Sequence, residues 1–196
     1  MTSSKPLLTL IINTCAGHRG LFQQSLPDQL AQVFEKHGFE VNTAIICNPD
    51  DIGPIVQKAL AEYRTRQGMI VGAGGDGTLN SIAQRLLHSN VPLGIIPLGT
   101  FNYVARVLRI PLDPLAAADI AMKGVARWVH VGRVNQYIYL NSASLGLYPT
   151  LIEQRENDKH RFGRFKAVAL VAGLAVLMKE HQTMKLQMQI DGHPEW

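Results

Sequence analysis

The chain has 196 residues and a formal net charge of +4, with 46% hydrophobic and 17% charged residues. Charged residues fall below the roughly 25% of an average soluble protein, and the apolar content excludes intrinsic disorder for most of the chain. No run of about 20 apolar residues is present, which excludes a spanning helix, and the scattered positive charge argues for neither nucleic acid nor anionic lipid.

Leu7–Asn13 is a β-branched run that predicts a first strand. Its core, Leu7–Ile12, is interrupted by Thr9 and followed by no A-x-A-like site, so it reads as a strand and not as a signal peptide. Cytoplasm is the expected compartment. Ser25 and Asp28 form a capping-box pattern, Leu26, Leu30, Val33 and Phe34 follow at helical spacing, and Gly38 ends the helix. Phe39–Cys47 reads as a second strand. Asp50 and Asp51 are candidate caps for a helix with the stripe Ile52, Ile55, Val56, Ala59, Leu60 and Tyr63. A third strand over Met69–Val71 leads into a glycine-rich turn, Gly72–Gly77. The next helix carries Leu79, Ile82, Ala83, Leu86 and Leu87 on one face. Val91–Ile96 is the fourth strand, Leu98–Thr100 a second tight turn, and Phe101–Leu108 a short helix. Asp113-Pro114 opens another helix, which Gly124 closes.

Strands alternating with helices predict βαβ units. The expected fold is α/β, an open, doubly wound, mainly parallel sheet. From about Arg127 the texture changes. Trp128–Val134 and Tyr137–Ser144, separated by Asn135-Gln136, predict a hairpin and the start of a β-rich antiparallel region. The expected division is therefore 1–126 and 127–196. Glu153–Lys166 is charged. Ala167–Met178 has no polar side chain but as a helix spans only about 18 Å, which suits a buried core helix better than a bilayer of about 30 Å. Met184–Asp191 alternates as a half-buried strand, and Asp191-Gly192 is a turn signal. A turn with no returning strand leads to the expectation that the chain is a fragment.

The two cysteines, Cys15 and Cys47, each follow a predicted strand. They are expected to be reduced thiols, since two distant cysteines make neither a disulfide scaffold nor a zinc site. The seven histidines show no ligand spacing, so no metal ligands are assigned.

The densest chemical signal is Gly74-Gly75-Asp76-Gly77-Thr78-Leu79-Asn80, which follows a strand and opens a helix. Glycines let the backbone approach an anion, and free N–H groups at a helix start favour phosphate. Thr78 adds a hydroxyl. A carboxylate here, Asp76, needs compensation by magnesium, or it orients a hydroxyl or water near the reacting phosphate; the bland alternative is a helix cap. The letters Gly72, Gly74 and Gly77 fit G-x-G-x-x-G, but no acid ends the next strand, and Walker A lacks its Gly-Lys-Ser/Thr. The second turn, Pro97–Asn102, also follows a strand and opens a helix. Two such turns at one sheet edge form the crevice where α/β folds bind ligands. Thr100 and Asn102 are candidate contacts there, as are Asn13 and the Asn13–Gly17 turn. Arg106 and Arg109 read as helix C-terminal cations, with phosphate binding the alternative.

GGDGT with Asn80 close behind resembles the nucleotide-binding signature of the diacylglycerol kinase catalytic domain family, which includes sphingosine and ceramide kinases. NAD kinases and phosphofructokinases share the short signature. The narrower likeness to the bacterial lipid kinases comes from Pro97–Arg106, Val131–Asn135, Asn141–Tyr148 and the Arg155-Glu156 region. The resemblance implies an ATP-binding α/β domain, a β-rich lipid-substrate domain and a cleft between them. It implies ATP, Mg2+ and a lipid at the membrane surface as ligands, and a peripheral position at the inner membrane face. Carried over by motif, Asn13, Gly17, Gly74, Gly75, Asp76, Gly77, Thr78, Leu79, Asn80, Thr100 and Asn102 bind ATP, with Asp76 the catalytic candidate. The Asn13–Gly17 segment reads Asn-Thr-Cys-Ala-Gly where the family has Asn-Pro-x-Ser-Gly. In the family the magnesium-linked acids and the catalytic base come late in the second domain, so they are expected beyond residue 196.

The implied reaction moves the γ-phosphoryl of ATP to a lipid hydroxyl such as that of diacylglycerol, and the 196-residue chain alone is expected to turn over weakly or not at all. Rival readings are an NAD or sugar-phosphate kinase of the same superfamily, a non-catalytic nucleotide-binding module, and a peripheral membrane protein that uses Ala167–Met178 as an interfacial helix.

Overall fold

A computed structural model of the chain describes residues 5–15, 25–144, 188–190 and 193–195. The chain divides into two compact units, Met1–Ser142 and Ala143–Trp196. In the first, β1 is Leu7–Asn13, α1 Leu26–Lys36, β2 Glu40–Ile46, α2 Ile52–Glu62, β3 Gly68–Gly74 and α3 Asp76–Leu86. Then come β4 (Leu93–Pro97), α4 (Tyr103–Val107), α5 (Pro114–Lys123) and the antiparallel pair β5 (Gly132–Val134) and β6 (Tyr137–Tyr139). A 3-10 turn, Pro49–Asp51, precedes α2. The expected caps Asp50 and Asp51 lie in it, Asp51 makes no side-chain cap bond to α2, and Asn48 Oδ1 caps the turn by accepting from the Asp50 N–H at 3.1 Å. The β5–β6 hairpin falls in the first unit, which ends at Ser142.

The four main strands are all parallel and ordered β2-β1-β3-β4. The order reverses between β1 and β3, which is the switch point of a doubly wound sheet. Leu8, Leu10 and Ile12 of β1 pack with Leu30 and Phe34 of α1 and Ala117 and Ala118 of α5. Ile11 and Ile70 face the other way, onto Ile52, Val56 and Ala59 of α2 and Ile82 and Leu86 of α3. Helices therefore cover both faces, which is why β1 is buried at every position and reads as a continuous apolar run.

Several expectations need correction. Strand β3 runs on through Gly72, Ala73 and Gly74, which the sequence placed in the turn. A Cβ at Gly72 would lie 2.8 Å from Ile82 Cδ1, and one at Gly74 would lie 2.7 Å from Thr78 Cβ. These glycines are the smooth surface against which α3 packs, not turn formers. The capping box at α1 does not form: Ser25 makes no side-chain cap bond, and its Oγ accepts from Gln29 Nε2 instead. Asp113 does cap α5, accepting from the Ala116 N–H at 2.8 Å. Gly38, at φ +87°, ends α1, a conformation cheap only for glycine.

Cys15 and Cys47 are joined by a disulfide, with Cα atoms 5.1 Å apart. The expectation of two reduced thiols fails because β1 and β2 are parallel neighbours. Asn13 pairs with Ile46, so the residues that follow the two strands emerge side by side despite a separation of 32 in sequence.

In the second unit, β7 (Met188–Ile190) pairs antiparallel with β8 (His193–Glu195). A returning strand does follow the expected Asp191-Gly192 turn; three residues are enough to pair. The turn itself, the charged stretch Glu153–Lys166 and the apolar stretch Ala167–Met178 lie outside the described residues. Among the described residues no helix is long and apolar enough to cross a membrane.

Candidate functional site: two strand-to-helix turns at the switch point

The parallel sheet delivers the ends of β1, β3 and β4 to one edge. Gly74 pairs with Pro97, and Ile12 pairs with Ala73, so Asn13, Gly74 and Pro97 lie side by side. The two turns that leave β3 and β4 are pressed together. The Leu98 N–H donates to the Gly74 carbonyl at 2.9 Å. A Cβ at Gly99 would sit 2.7 Å from Gly75 Cα. Only glycine permits this backbone approach.

Helix α3 starts without a side-chain cap, since its N-cap residue is Gly75. Leu79 N–H donates to Gly75 O at 3.1 Å. Among the described residues, no acceptor meets the amides of Asp76, Gly77 and Thr78, the orphan donors of a helix N-terminus. Gly77 is exposed, and a Cβ built there would meet nothing within 4 Å. Among the described residues nothing covers Gly77 at this end of α3, and the helix dipole adds partial positive charge there.

Asp76 binds the second turn to the first. Its Oδ2 accepts from the Tyr103 N–H at 3.1 Å and its Oδ1 from the Val104 N–H at 2.9 Å. The residue expected as the catalytic carboxylate thus caps α4, whose own N-cap, Asn102, makes no side-chain cap bond. Asn102 is left-handed, with φ 53° and ψ 43°, and only 9% exposed. Its Oδ1 accepts from the Gly99 N–H at 2.8 Å, and its Nδ2 donates to the Gly99 carbonyl at 2.9 Å. It closes the second turn and has little left for a ligand.

Asn13 and Thr78 are also brought together. Asn13 Nδ2 donates to Thr78 Oγ1 at 2.9 Å, and Asn13 Oδ1 accepts from the Cys15 N–H at 3.0 Å. Both side chains are buried. Asn80 lies one turn along α3 and looks elsewhere. Its Nδ2 donates to the Ile138 carbonyl at 2.9 Å, and its Oδ1 accepts from the Leu140 N–H at 3.1 Å. Gln84 Oε1 accepts from the Ile138 N–H at 2.7 Å. The two amide side chains, four residues apart, supply the backbone of β6 with the bonds a neighbouring strand would give. Leu79 is fully buried in the core. Thr100 is exposed at the tip of the second turn, and Gly17 lies outside the described residues.

Sequence reasoning missed Gln84, although its i, i+4 spacing from Asn80 marks it as sharing a face. It also missed the Tyr103 and Val104 amides, which no side-chain pattern announces. Beside the turns, Phe101 and Tyr103 stack with ring centroids 5.5 Å apart, both exposed, and Arg106 Nε donates to the Phe101 carbonyl at 3.0 Å. A separate groove of about 340 Å³ opens between β2 and α2, lined by Thr9, Asn42, Thr43, Lys58 and Glu62 among others. None of the turn residues lines it.

The donor set suits an anion: free amides, two hydroxyls and, among the described residues of the two turns, no carboxylate beyond Asp76. For a cation the set is thin. Among the described residues no group of three or more His, Cys, Asp or Glu could hold a metal, and Asp76 keeps only the lone pairs its two amide bonds leave free.

This is a parallel α/β domain with its open crevice at the switch point. The family profile of the diacylglycerol kinase catalytic domain matches residues 7–134, and the chain belongs to that family. It is 40% identical over 141 residues to a diacylglycerol kinase of Bacillus subtilis (strain 168), a match covering 70% of this chain and 45% of that protein. A diacylglycerol kinase of Staphylococcus saprophyticus is 34% identical over 139 residues, covering 70% and 44%. Among solved structures, a diacylglycerol kinase from Bacillus anthracis str. Sterne superposes with a TM-score of 0.56 at 25% identity, covering 72% of this chain and 52% of that one. The chain thus spans less than half the length of the curated relatives it matches.

Proposed function

We propose that the chain is the ATP-binding part of a lipid kinase that transfers the γ-phosphoryl of ATP to the hydroxyl of a lipid such as diacylglycerol. The observation that carries this reading is the start of α3. Three amides without acceptors among the described residues lie at the switch point around the exposed Gly77, in a chain that belongs to the diacylglycerol kinase family. In this reading the amides of Asp76, Gly77 and Thr78 receive phosphate oxygens, Gly77 keeps the approach clear, and Thr100 reaches the nucleotide from the second turn. Mg2+ bound with the nucleotide would neutralise phosphate charge, and Asp76 is the carboxylate of the two turns that would hold it or its water shell.

Phosphoryl transfer asks the protein mainly for position and fixed dipoles. Asp76 is assigned a positioning role, since its oxygens set the distance between the two turns. Asn13 orients the Thr78 hydroxyl, and Asn102 sets the backbone of Gly99. Asn80 holds the hairpin, not the nucleotide. No base for the proton of the lipid hydroxyl is assigned among the described residues. The exposed Phe101–Tyr103 stack beside Arg106 supports a lipid-facing surface next to the turns, consistent with a cytoplasmic protein working at the inner membrane face.

The test has two arms. ATP titrated with Mg2+ onto the chain should bind, and Gly77→Val should abolish binding while leaving the fold intact by circular dichroism. Radiolabelled transfer from ATP to diacylglycerol in mixed vesicles should be weak or absent with the chain and appear when the chain is joined to the C-terminal half of a diacylglycerol kinase relative. Transfer to NAD or a sugar phosphate instead would overturn the lipid assignment, and absence of ATP binding would overturn the whole reading.

A further inference from the structure

We propose that Cys15 and Cys47 are a redox modification site that tunes the candidate phosphate turn through Asn13. This inference rests on the nucleotide-binding reading of that turn. The two residues are exposed and bonded to each other, with Cα atoms 5.1 Å apart. Exposed disulfides are the ones open to thiol exchange.

The bridge lies where it adds little to the sheet. The β1–β2 ladder already runs to Asn13↔Ile46. Thr14 adds its N–H to the Ile46 carbonyl at 3.1 Å and its Oγ1 to the same oxygen at 3.3 Å. The disulfide closes just beyond this last bond, so its restraint falls on the chain as it leaves the sheet. There it fixes Cys15. The Cys15 N–H donates to Asn13 Oδ1 at 3.0 Å, and Asn13 Nδ2 donates to Thr78 Oγ1 at 2.9 Å. Thr78 belongs to the first turn of α3. Two hydrogen bonds therefore connect the sulfur pair to the start of that helix.

The chemistry is thiol–disulfide exchange with an external dithiol. A thiolate of the dithiol attacks one sulfur, and the Cys15–Cys47 bond breaks through a mixed disulfide. The second thiol of the reductant then closes its own disulfide. Two electrons enter the protein, and the two protons of the dithiol end on the cysteine sulfurs. Oxidation by a small disulfide such as glutathione disulfide runs the reverse course. In the bridged form the exit of β1 is ordered before ligand arrives. In the dithiol form that ordering is deferred to the binding step, so the bridged form binds nucleotide more tightly.

The 196-residue chain is oxidised with glutathione disulfide, and a second sample is reduced with dithiothreitol; both are freed of reagent. Three readouts are compared: titratable thiols, amide hydrogen exchange without nucleotide, and ATP affinity. The oxidised chain should show no titratable thiol and the reduced chain two. Reduction should speed exchange at Cys15 and Asp76–Thr78 and weaken ATP binding by about fivefold or more. Cys15→Ser and Cys47→Ser, kept in dithiothreitol and then freed of it, should each match the reduced form, and the double variant Cys15→Ser/Cys47→Ser should ignore oxidant. Two titratable thiols after oxidation would overturn the proposal, as would identical exchange in the two states. If neither state binds ATP, the nucleotide reading falls, and the exchange comparison alone decides whether the pair controls the turn.

Discussion

The carboxylate of Asp76, in the first turn of α3, caps the backbone of Val104 in α4 at 2.9 Å, although the two residues are 28 apart in sequence. With its second bond to the Tyr103 N–H, it does for another helix what an N-cap residue does for its own. Removing it should therefore register first as a loss of stability. Asp76→Ala is expected to cost about 1–2 kcal/mol. Asp76→Asn, which keeps one acceptor oxygen, should recover part of that. Urea midpoints of the three proteins check this. If Asp76→Asn is stable yet loses Mg2+-dependent ATP binding, the charge has a role beyond the cap; if binding follows stability alone, the cap is the whole role.

The glycines in and beside the two turns should separate into two kinds. Gly99→Ala drives a Cβ to within 2.7 Å of Gly75 Cα, and Gly74→Ala to within 2.7 Å of Thr78 Cβ. Overpacking of this sort costs about 1–3 kcal/mol. Gly77→Ala meets nothing, and in a helical position it should hold or raise stability by about 0.4–1 kcal/mol. Its methyl nevertheless stands in the open approach to the amides, so ATP affinity should fall. Thermal melts and ATP titrations on the same three variants give the contrast. A Gly77→Ala protein that binds ATP as well as the parent would remove that approach from the site.

Asn80 and Gln84 should act as one unit. Asn80→Ala leaves the Ile138 carbonyl and the Leu140 N–H without these partners, and Gln84→Ala leaves the Ile138 N–H without its own. Each is expected to cost about 1–2 kcal/mol, because Ile138 is buried and unmade bonds there are expensive. A double-mutant cycle should show coupling above about 0.5 kcal/mol. Simple additivity would mean the hairpin is held by packing and not by these amides.

Alkaline stability should depend on Tyr63. Burial pushes its hydroxyl above the usual tyrosine pKa of 10.0. That hydroxyl accepts the Thr9 N–H at 3.0 Å and lies 2.7 Å from the Met69 carbonyl and 2.8 Å from Thr9 Oγ1. The native state holds the proton more tightly than the unfolded chain does. The contribution is therefore complete below the unfolded pKa, near 10, and is lost as pH rises through the higher folded value. Unfolding midpoints measured from pH 8 to 11 should fall at the top of the range. Tyr63→Phe strands the Thr9 N–H, so it should be less stable by about 1–3 kcal/mol at pH 8 and show a flatter alkaline limb.

The sheet and its helices were legible in the sequence because burial on both faces writes itself as apolar runs, such as Leu7–Ile12, and helical stripes, such as Ile52, Val56 and Ala59. The two turns were legible from their glycines and their place after strands. What escaped notice depended on proximity between segments far apart in the chain. Asp76 meets Val104 only once the β3 and β4 turns are pressed together. Cys15 meets Cys47 only because β1 and β2 are adjacent and in that register. Asn80 carries a nucleotide-binding motif yet is bonded to a hairpin some sixty residues on, which no local spacing reveals. The returning strand His193–Glu195 was missed because three residues are too few to show alternation.

Helix α3 has eleven residues and so runs about 16 Å. Its first turn presents bare amides, its middle grips β6, and its apolar side lies on β3. It is thus a stiff beam, anchored along its length, with a sensor at one end and a handle partway along. A shift of the beam by a fraction of a bond length reaches both places at once. Filling the turn and seating the hairpin are therefore two readings of one mechanical coordinate.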